Sequence, residues 1–268
     1  MCRFFLKLCN GLISIAVAIA LLTAGAYATY CLWDNNQIYS AAENVQAELL
    51  SLKPKIAEET DETDSGPTFA ELLAINPDVC GWVTLDNTRI DHPVVQGETN
   101  MDYINTDVYG DFALAGSIFL DSRNDSHFTD LYNVLYGHHM ESGGMFGDLD
   151  LYKDAAFFRD NQTGMLILPD RSYSLQVFAC LLVGASDDRI FNPHKWDTSV
   201  KGLLDFAEAE SLHTVPETIA LLRQRIEAGD EPQVLAFTTC SSEFTDARTI
   251  VLAAMNGYRQ KDREDVEP

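Results

Sequence analysis

Residues 234–254 read VLAFTTCSSEFTDARTIVLAA, and this stretch predicts two neighbouring β-strands. An apolar run ends at Cys240, a short polar turn follows, and a second apolar run begins at Arg248. Such a pattern is typical of strands joined by a turn. The thiol and the guanidinium would then lie at adjacent strand ends and face the same space. Because a fixed positive charge favours the thiolate, which is the reactive form of cysteine, the stretch predicts a reactive thiol.

The composition is acidic, with a formal net charge of -23 from 41 acidic and 18 basic residues. This balance argues against nucleic-acid binding, because binding to phosphates depends on Lys and Arg. A solvated acidic surface explains the charge, and steering of basic partners is the alternative explanation. The 268 residues suit one large domain or two small ones.

The N-terminal segment predicts a membrane anchor. Arg3 and Lys7 precede an almost uncharged stretch, residues 8–33, that is long enough to cross a bilayer. Because the positive residues come first, the positive-inside rule places the N-terminus in the cytoplasm and the following domain outside. A signal peptide cleaved after Ala28 and a lipoprotein attached through Cys31 are the alternatives.

The sequence divides into four parts along its length. These are a cytoplasmic tip and membrane segment at residues 1–34, a helical stalk and acidic linker at 35–67, a strand-rich domain at 68–260 and a polar tail at 261–268. The stalk has helix-forming composition up to residue 56, whereas residues 58–66, EETDETDSG, contain no apolar residue and predict a solvated linker.

The strand-rich domain alternates short apolar runs with turn signals. Strands are predicted within residues 81–96, 115–121, 131–139, 164–168 and 173–183, in addition to the pair at 234–254. Helices are predicted at residues 69–75, 198–211 and 216–228. Many short strands with a few helical connections favour a mixed or mainly antiparallel barrel or sandwich.

A thiol nucleophile needs a base or an ion-pair partner, and histidine is the usual one. Of the six histidines, His138 and His139 follow a strand pattern and Gly137, where a side chain can emerge at a sheet edge. Adjacent residues on a strand point to opposite faces, so one metal ion is not expected to bind both. No metal site is predicted. Arg248 alone would also fit a surface charge at a strand edge.

The other cysteines do not suggest a reactive site. The sequence has six cysteines and no CxxC pair, which argues against a zinc ribbon and a thioredoxin-like protein. Cys80 and Cys180 have apolar neighbours in the sequence, and free cysteines in such surroundings commonly behave as small buried hydrophobic residues. Cys240 is therefore the best candidate nucleophile.

Four motifs carry a resemblance to a known family. They are NPDVCGWVTLDNTRIDHPVVQ from Asn76, AGSIFLDSRN from Ala115, NVLYGHHMESGGMFGDL from Asn133, and LAFTTC from Leu235 with Arg248 downstream. In the order and spacing of these motifs, the chain resembles a sortase, and most closely a class B sortase, over residues 70–258. The resemblance implies an eight-stranded sortase-type β-barrel with N-terminal helices and a helix between two late strands. One transmembrane helix would precede this domain.

The resemblance also implies roles for five residues of the catalytic domain at 68–260. Cys240 would be the nucleophile, His138 the acid and base, and Arg248 the group that binds the oxyanion or the substrate. Thr238 and Thr239 are expected to contact the substrate. No cofactor is expected.

The implied activity is transpeptidation through a thioester. The thiolate would attack the carbonyl of a threonine in a C-terminal sorting motif, and an amine of a cell-wall peptide or a pilin lysine would resolve the intermediate. The expected partners are therefore secreted sorting-motif proteins, an amine acceptor and the membrane. Such an enzyme is expected in the cell membrane of a Gram-positive bacterium, with one span and an extracellular catalytic domain. A surface thiol hydrolase and a non-catalytic surface binding protein are the alternatives.

Overall fold

The computed structural model describes residues 2–54, 69–240 and 247–258. The chain divides into two compact units, Met1–Ala41 and Ala42–Pro268. The helices and strands of the described residues are α1 (Cys2–Leu50), α2 (Phe69–Ile75), β1 (Val79–Leu85), β2 (Asp91–Val95), β3 (Ile118–Leu120), β4 (Tyr132–His138), α3 (Ala155–Asp160), β5 (Thr163–Ile167), β6 (Ser172–Gly184), α4 (Asp188–Phe191), α5 (Lys201–Glu210), β7 (His213–Thr214), α6 (Pro216–Glu227), β8 (Gln233–Cys240) and β9 (Ala247–Tyr258). Two 3-10 helices, Gly147–Lys153 and Pro193–Trp196, complete the set.

The first helix contains the predicted membrane segment. Among the described residues, α1 is the one helix long and apolar enough to cross a membrane, and an 18-residue window within it has a mean hydropathy of 2.2. The predicted stalk helix is the C-terminal part of this same helix, which ends at Leu50. Its length and composition are consistent with a membrane anchor. The predicted linker at 58–66 and the tail at 261–268 lie outside the described residues.

The strands form a closed barrel. Of the nine strands in the sheet, eight follow one another in the order β5-β1-β2-β3-β4-β8-β9-β6, and pairing of β6 with β5 closes the circle. β2 pairs with β3 and β4 pairs with β8 in parallel, whereas the other neighbours in the circle are antiparallel. The two-residue strand β7 pairs with β6 beside the barrel. The structure therefore confirms the predicted eight-stranded, mainly antiparallel barrel.

The helical connections also agree with prediction in their main features. α2, α5 and α6 lie where helical patterns predicted them, and α5 and α6 both belong to the connection between β6 and β8. This connection provides the expected helix between late strands. The 3-10 helix Gly147–Lys153 and the short helix α3 were not predicted, because both are too short to show a helical repeat in the sequence.

Burial along β4 shows why the site lies at one end of the barrel. Every residue of this strand from Tyr132 to Gly137 is buried, and His138 is the first that is only half-buried. A strand buried on both faces is read in the sequence as a continuous apolar run. His138, the last residue of β4, is therefore the first residue of the strand whose side chain is accessible to a substrate.

Candidate active site

Three strand ends meet at one edge of the barrel. Because β4 and β8 are parallel, their C-terminal ends lie at the same edge, and the antiparallel strand β9 begins there. The backbone of His138 pairs in register with that of Cys240, and paired strands lie about 4.8 Å apart. Arg248 is the second residue of β9. The predicted turn at 241–246 and the Cys240 side chain lie outside the described part of the structure.

A groove of about 380 Å³ opens at this edge. Its lining residues are Asn100, Met101, Ile104, Phe119, Tyr136, His138, Ala185, Phe191, Thr239 and Arg248. The rings of Phe119 and Tyr136 stack with their centroids 5.2 Å apart, and Phe191 continues the stack at 6.3 Å from Tyr136. Apolar walls with a few polar groups are typical of a ligand-binding site. The fold thus brings His138, Thr239 and Arg248 to the same groove.

His138 is held by the segment that precedes β3. Its ring Nε2 lies 2.7 Å from the carbonyl oxygen of Ile104. A carbonyl oxygen only accepts hydrogen bonds, so Nε2 donates its proton here and Nδ1 is the nitrogen that can exchange one. Gly137 allows the strand to pass closely beneath this site, because a side chain there would overlap Ile118 and Phe146. The hydrogen bond to Ile104 orients the His138 ring.

His139 has different partners from its neighbour. Its Nε2 lies 3.1 Å from Oδ2 of Asp150, which belongs to the 3-10 helix that follows β4. The same carboxylate accepts a hydrogen bond from Thr249 at 2.7 Å and pairs with Lys153 at 2.6 Å. His139, together with these two groups, holds the pKa of Asp150 well below its usual value. This separation agrees with the expectation that adjacent strand residues point apart.

The two threonines before Cys240 also differ in their surroundings. The hydroxyl of Thr238 is buried and donates to the carbonyl of Leu135 on β4 at 2.7 Å. Thr239 lines the groove, whereas Thr238 is not among the lining residues in the part of the chain that the structure describes. Thr238 therefore joins β8 to β4, and Thr239 lies at the groove.

Solved structures with the same fold and related sequences identify the family. A Streptococcus pyogenes class B sortase involved in pilus biogenesis is 36% identical, with a TM-score of 0.61, and the match covers 70% of this chain and 97% of that protein. The chain belongs to the class B sortases. No family profile matches the sequence. This membership confirms the resemblance carried by the four sequence motifs, and it makes the chain a member of a cysteine transpeptidase family.

Two further sortases show how far the likeness extends. The structure of a Staphylococcus aureus sortase B–substrate complex is 28% identical with a TM-score of 0.61, and the match covers 70% of this chain and 84% of that protein. Sortase B from Bacillus anthracis is 27% identical with a TM-score of 0.67, over 83% of this chain and 99% of that protein. In sequence, Sortase B of Staphylococcus aureus is 28% identical over 189 residues, which are 70% of this chain and 74% of the relative.

Two other thiols and one other imidazole of this sortase are poorly suited to catalysis. Cys80 and Cys180 are buried free thiols, as the sequence predicted, and burial raises the pKa of each to about 12. His92 is also buried, and desolvation lowers its pKa to about 4. At neutral pH these thiols are protonated and this imidazole is uncharged. None of the three lines the groove at the barrel edge.

The sequence did not reveal every residue on which the sortase groove depends. The carbonyl of Ile104 holds His138, and a backbone atom leaves no signature in a sequence. Asp121 and Arg123 follow β3 within a motif that carried the family resemblance, and both contact groove-lining residues. The available signal was a carboxylate directly after a buried strand, followed two residues later by an arginine.

Proposed function

We propose that this class B sortase is a membrane-anchored cysteine transpeptidase. It would cleave a C-terminal sorting motif after threonine and transfer the new carboxyl end to an amine. The observation that carries this proposal is the in-register pairing of His138 with Cys240 at the barrel edge, beside a groove that Arg248 also lines. A nucleophile, a proton donor and a fixed cation at one groove are the groups that acyl transfer requires.

In the first half-reaction, the Cys240 thiolate attacks the threonine carbonyl and forms a carbon–sulfur bond. The carbonyl oxygen becomes negatively charged, and the Arg248 guanidinium stabilises that charge. When the intermediate collapses, the peptide carbon–nitrogen bond breaks and protonated His138 donates a proton to the leaving amine. The products are a thioester on Cys240 and a released C-terminal peptide. Thr239, which lines the groove, contacts the substrate during this step.

In the second half-reaction, an amine attacks the thioester. Neutral His138 accepts a proton from the attacking nitrogen, a new amide bond forms, and the carbon–sulfur bond breaks to regenerate the thiolate. Thr238 supports both steps indirectly, because its bond to Leu135 joins the strands that end at Cys240 and His138. Since the imidazole is protonated in one half-reaction and neutral in the other, both protonation states must be accessible at the working pH.

The donors and acceptors follow from this chemistry. The donors are secreted proteins with a sorting motif, and the acceptor is an amine of a cell-wall peptide stem or a pilin lysine. We further propose that α1 crosses the membrane with its N-terminus in the cytoplasm, because Arg3 and Lys7 precede its apolar stretch. The catalytic domain would then meet substrates outside the cell as they emerge from the membrane.

An amine-dependence experiment tests the proposal. Full-length protein in detergent is incubated with a library of threonine-containing peptides, with and without hydroxylamine or a lysine-containing acceptor peptide. Cleavage after threonine and an amine-dependent amide product are expected, and Cys240→Ala should give neither. If the product is only the hydrolysed peptide at every amine concentration, the protein is a thiol hydrolase rather than a transferase. If Cys240→Ala retains activity, the assigned nucleophile is wrong.

A further inference from the structure

An ion pair with a buried carboxylate, Asp121, and a partly exposed guanidinium, Arg123, lies beside the groove, directly after β3. The side chain of Asp121 has no exposed surface, and it accepts hydrogen bonds from Nε and Nη2 of Arg123 at 2.8 and 2.6 Å. Burial would raise the pKa of this carboxyl, but hydrogen bonds and the charge of Arg123 hold it below its usual value. Removing a carboxylate from water is costly unless it is paired and its hydrogen bonds are satisfied. This pair is also bonded to other groups.

Those other groups belong to three separate walls of the groove. Asn100, before β3, donates from Nδ2 to Asp121 at 3.1 Å, and the Tyr136 hydroxyl on β4 donates to the same oxygen at 3.0 Å. Nη2 of Arg123 donates to the carbonyl of Phe191, at the end of α4, at 2.7 Å. All three partners line the groove. The ion pair therefore joins parts of the chain that are distant in sequence.

The wall that contains Asn100 continues to the proposed acid and base. Asn100 also accepts a hydrogen bond from the backbone of Ser122 at 2.7 Å, so its segment is held at two points. Four residues later, Ile104 accepts the hydrogen bond from His138. Gly116 packs against this segment in a left-handed conformation, with φ of +58°, and a side chain there would lie 2.7 Å from the Tyr103 carbonyl oxygen. The packing of Gly116 holds the Tyr103–Ile104 backbone separately from Asn100, so displacement of Asn100 would move this wall of the groove more than His138.

We propose that Asp121 and Arg123 are positioning residues that hold three walls of the groove at the separation a peptide substrate requires. The proposal rests on the proposed function, because it assumes that the groove binds the sorting peptide. Neither side chain is placed to touch the reacting atoms. They act through Asn100, Tyr136 and Phe191, and a supporting network of this kind determines how precisely a binding site is formed. The pair should therefore affect substrate binding more than the chemical step.

Two substitutions test the pair from opposite sides. Arg123→Lys keeps the positive charge, but one ammonium group cannot reproduce the planar set of bonds to Asp121 and to the Phe191 carbonyl. Asp121→Asn removes the negative charge and one acceptor while keeping the shape of the side chain. The matched control is Arg223→Lys, because Arg223 bonds two carboxylates at 2.7 and 2.8 Å and contacts no groove-lining residue in those bonds.

The first readout is steady-state kinetics of the full-length protein with the threonine-containing peptide that wild type cleaves fastest. We expect Arg123→Lys and Asp121→Asn, the two groove variants, each to raise KM about tenfold with kcat within about threefold of wild type. Such a result indicates loss of binding rather than of transition-state stabilisation. Arg223→Lys should change neither. An unchanged KM, or a fall in kcat alone, would overturn the proposal. If thermal melting shows that Asp121→Asn does not fold, the kinetics of Arg123→Lys alone test the proposal. That variant is expected to fold, because the Arg123 side chain is 41% exposed.

The second readout does not depend on activity. Hydrogen exchange followed by mass spectrometry should show faster exchange at residues 100–104 and 188–191 in both groove variants, and no change there in Arg223→Lys. Unaltered exchange in folded variants would contradict the positioning role even if KM rises. If wild type cleaves no peptide, the proposed function fails, and the exchange measurement still decides whether the pair holds the walls. The two failures are therefore distinguishable.

Discussion

Thiols and imidazoles occur in two regions of this barrel. One is the barrel wall, meaning buried positions within the strands, and the other is the barrel edge at which β4 and β8 end. Cys80 and His92 lie within β1 and β2 and are buried in the wall, where the pKa of the thiol is raised to about 12 and that of the imidazole is lowered to about 4. Cys240 and His138 end β8 and β4 at the groove. The same residue types are thus buried and uncharged in one region and are the proposed catalytic groups in the other.

The physical cause of this difference is desolvation. A buried group loses the hydration that stabilises its charged form, so wall groups remain uncharged over a wide pH range. At the edge, His138 and Arg248 are only half-buried, and the last described strand positions open onto the groove. Position along a strand therefore matters as much as residue type. Four predictions test this contrast, from the largest expected effect to the smallest.

The largest effect is expected for the two cysteines. Cys240→Ala should lower peptide cleavage at least about 1,000-fold, because the nucleophile is removed. Cys80→Ala should leave kcat/KM within about threefold of wild type, because its thiol is buried and protonated. Continuous peptide-cleavage assays on both full-length variants check this. A large loss of kcat/KM in folded Cys80→Ala would remove the distinction between wall and edge.

The adjacent histidines should differ next most strongly. His138→Ala should lower kcat/KM by about 100- to 10,000-fold, which is the usual contribution of a general acid and base. His139→Ala should cost less than about tenfold, because its ring bonds Asp150 and is not among the groove-lining residues that the structure describes. Kinetics of both variants at several pH values provide the comparison. The reverse ranking would transfer the acid–base role to His139.

A smaller effect is expected when the cation at the groove is kept but its shape is changed. Arg248→Lys should lower kcat about 100-fold, because a single ammonium cannot reproduce the planar donors of a guanidinium at the oxyanion. Arg225→Lys is the matched control, since Arg225 pairs with Asp230 at 2.7 Å and does not line the groove. Single-turnover kinetics measure the chemical step directly. Equal activity of the two variants would contradict the oxyanion role.

The smallest effect concerns the contribution of His92, in the barrel wall, to the stability of the protein. The pKa of His92 is about 4 in the folded protein, below the value of about 6.5 of an unfolded histidine. The unfolded state therefore binds more protons between these values, so the free energy of unfolding should fall as pH decreases from about 6.5 to about 4. His92→Asn should flatten that dependence in denaturant titrations. An unchanged slope would show that His92 does not contribute to it.

Much of the barrel could be predicted because its strands repeat a simple pattern. The apolar runs that end at His138 and Cys240 identified β4 and β8, and the family motifs implied the eight-stranded barrel to which they belong. The contacts of Asp121 and Arg123 could not be predicted, because they join Asn100, Tyr136 and Phe191 only after the chain has folded. Residue-type rules carry no information on such distant pairs.

The sequence was also less informative about individual side chains. Substrate contact by Thr238 and Thr239 remains a prediction. The structure adds that the Thr238 hydroxyl makes a buried bond to β4 and that Thr239 lines the groove. Which face a strand residue occupies depends on local register at the end of a strand. The surroundings of each threonine depend on the folded structure.

The central claim is that the thiol at the end of β8 forms a covalent acyl intermediate. Full-length protein is mixed with the threonine-containing peptide it cleaves fastest, quenched in acid within one turnover, digested and mapped by mass spectrometry. The account predicts an acyl group, ending in the substrate threonine, on the peptide that contains Cys240, and its disappearance when hydroxylamine is added. Cleavage without an adduct on Cys240, or an adduct on Cys80 or Cys180, would contradict it.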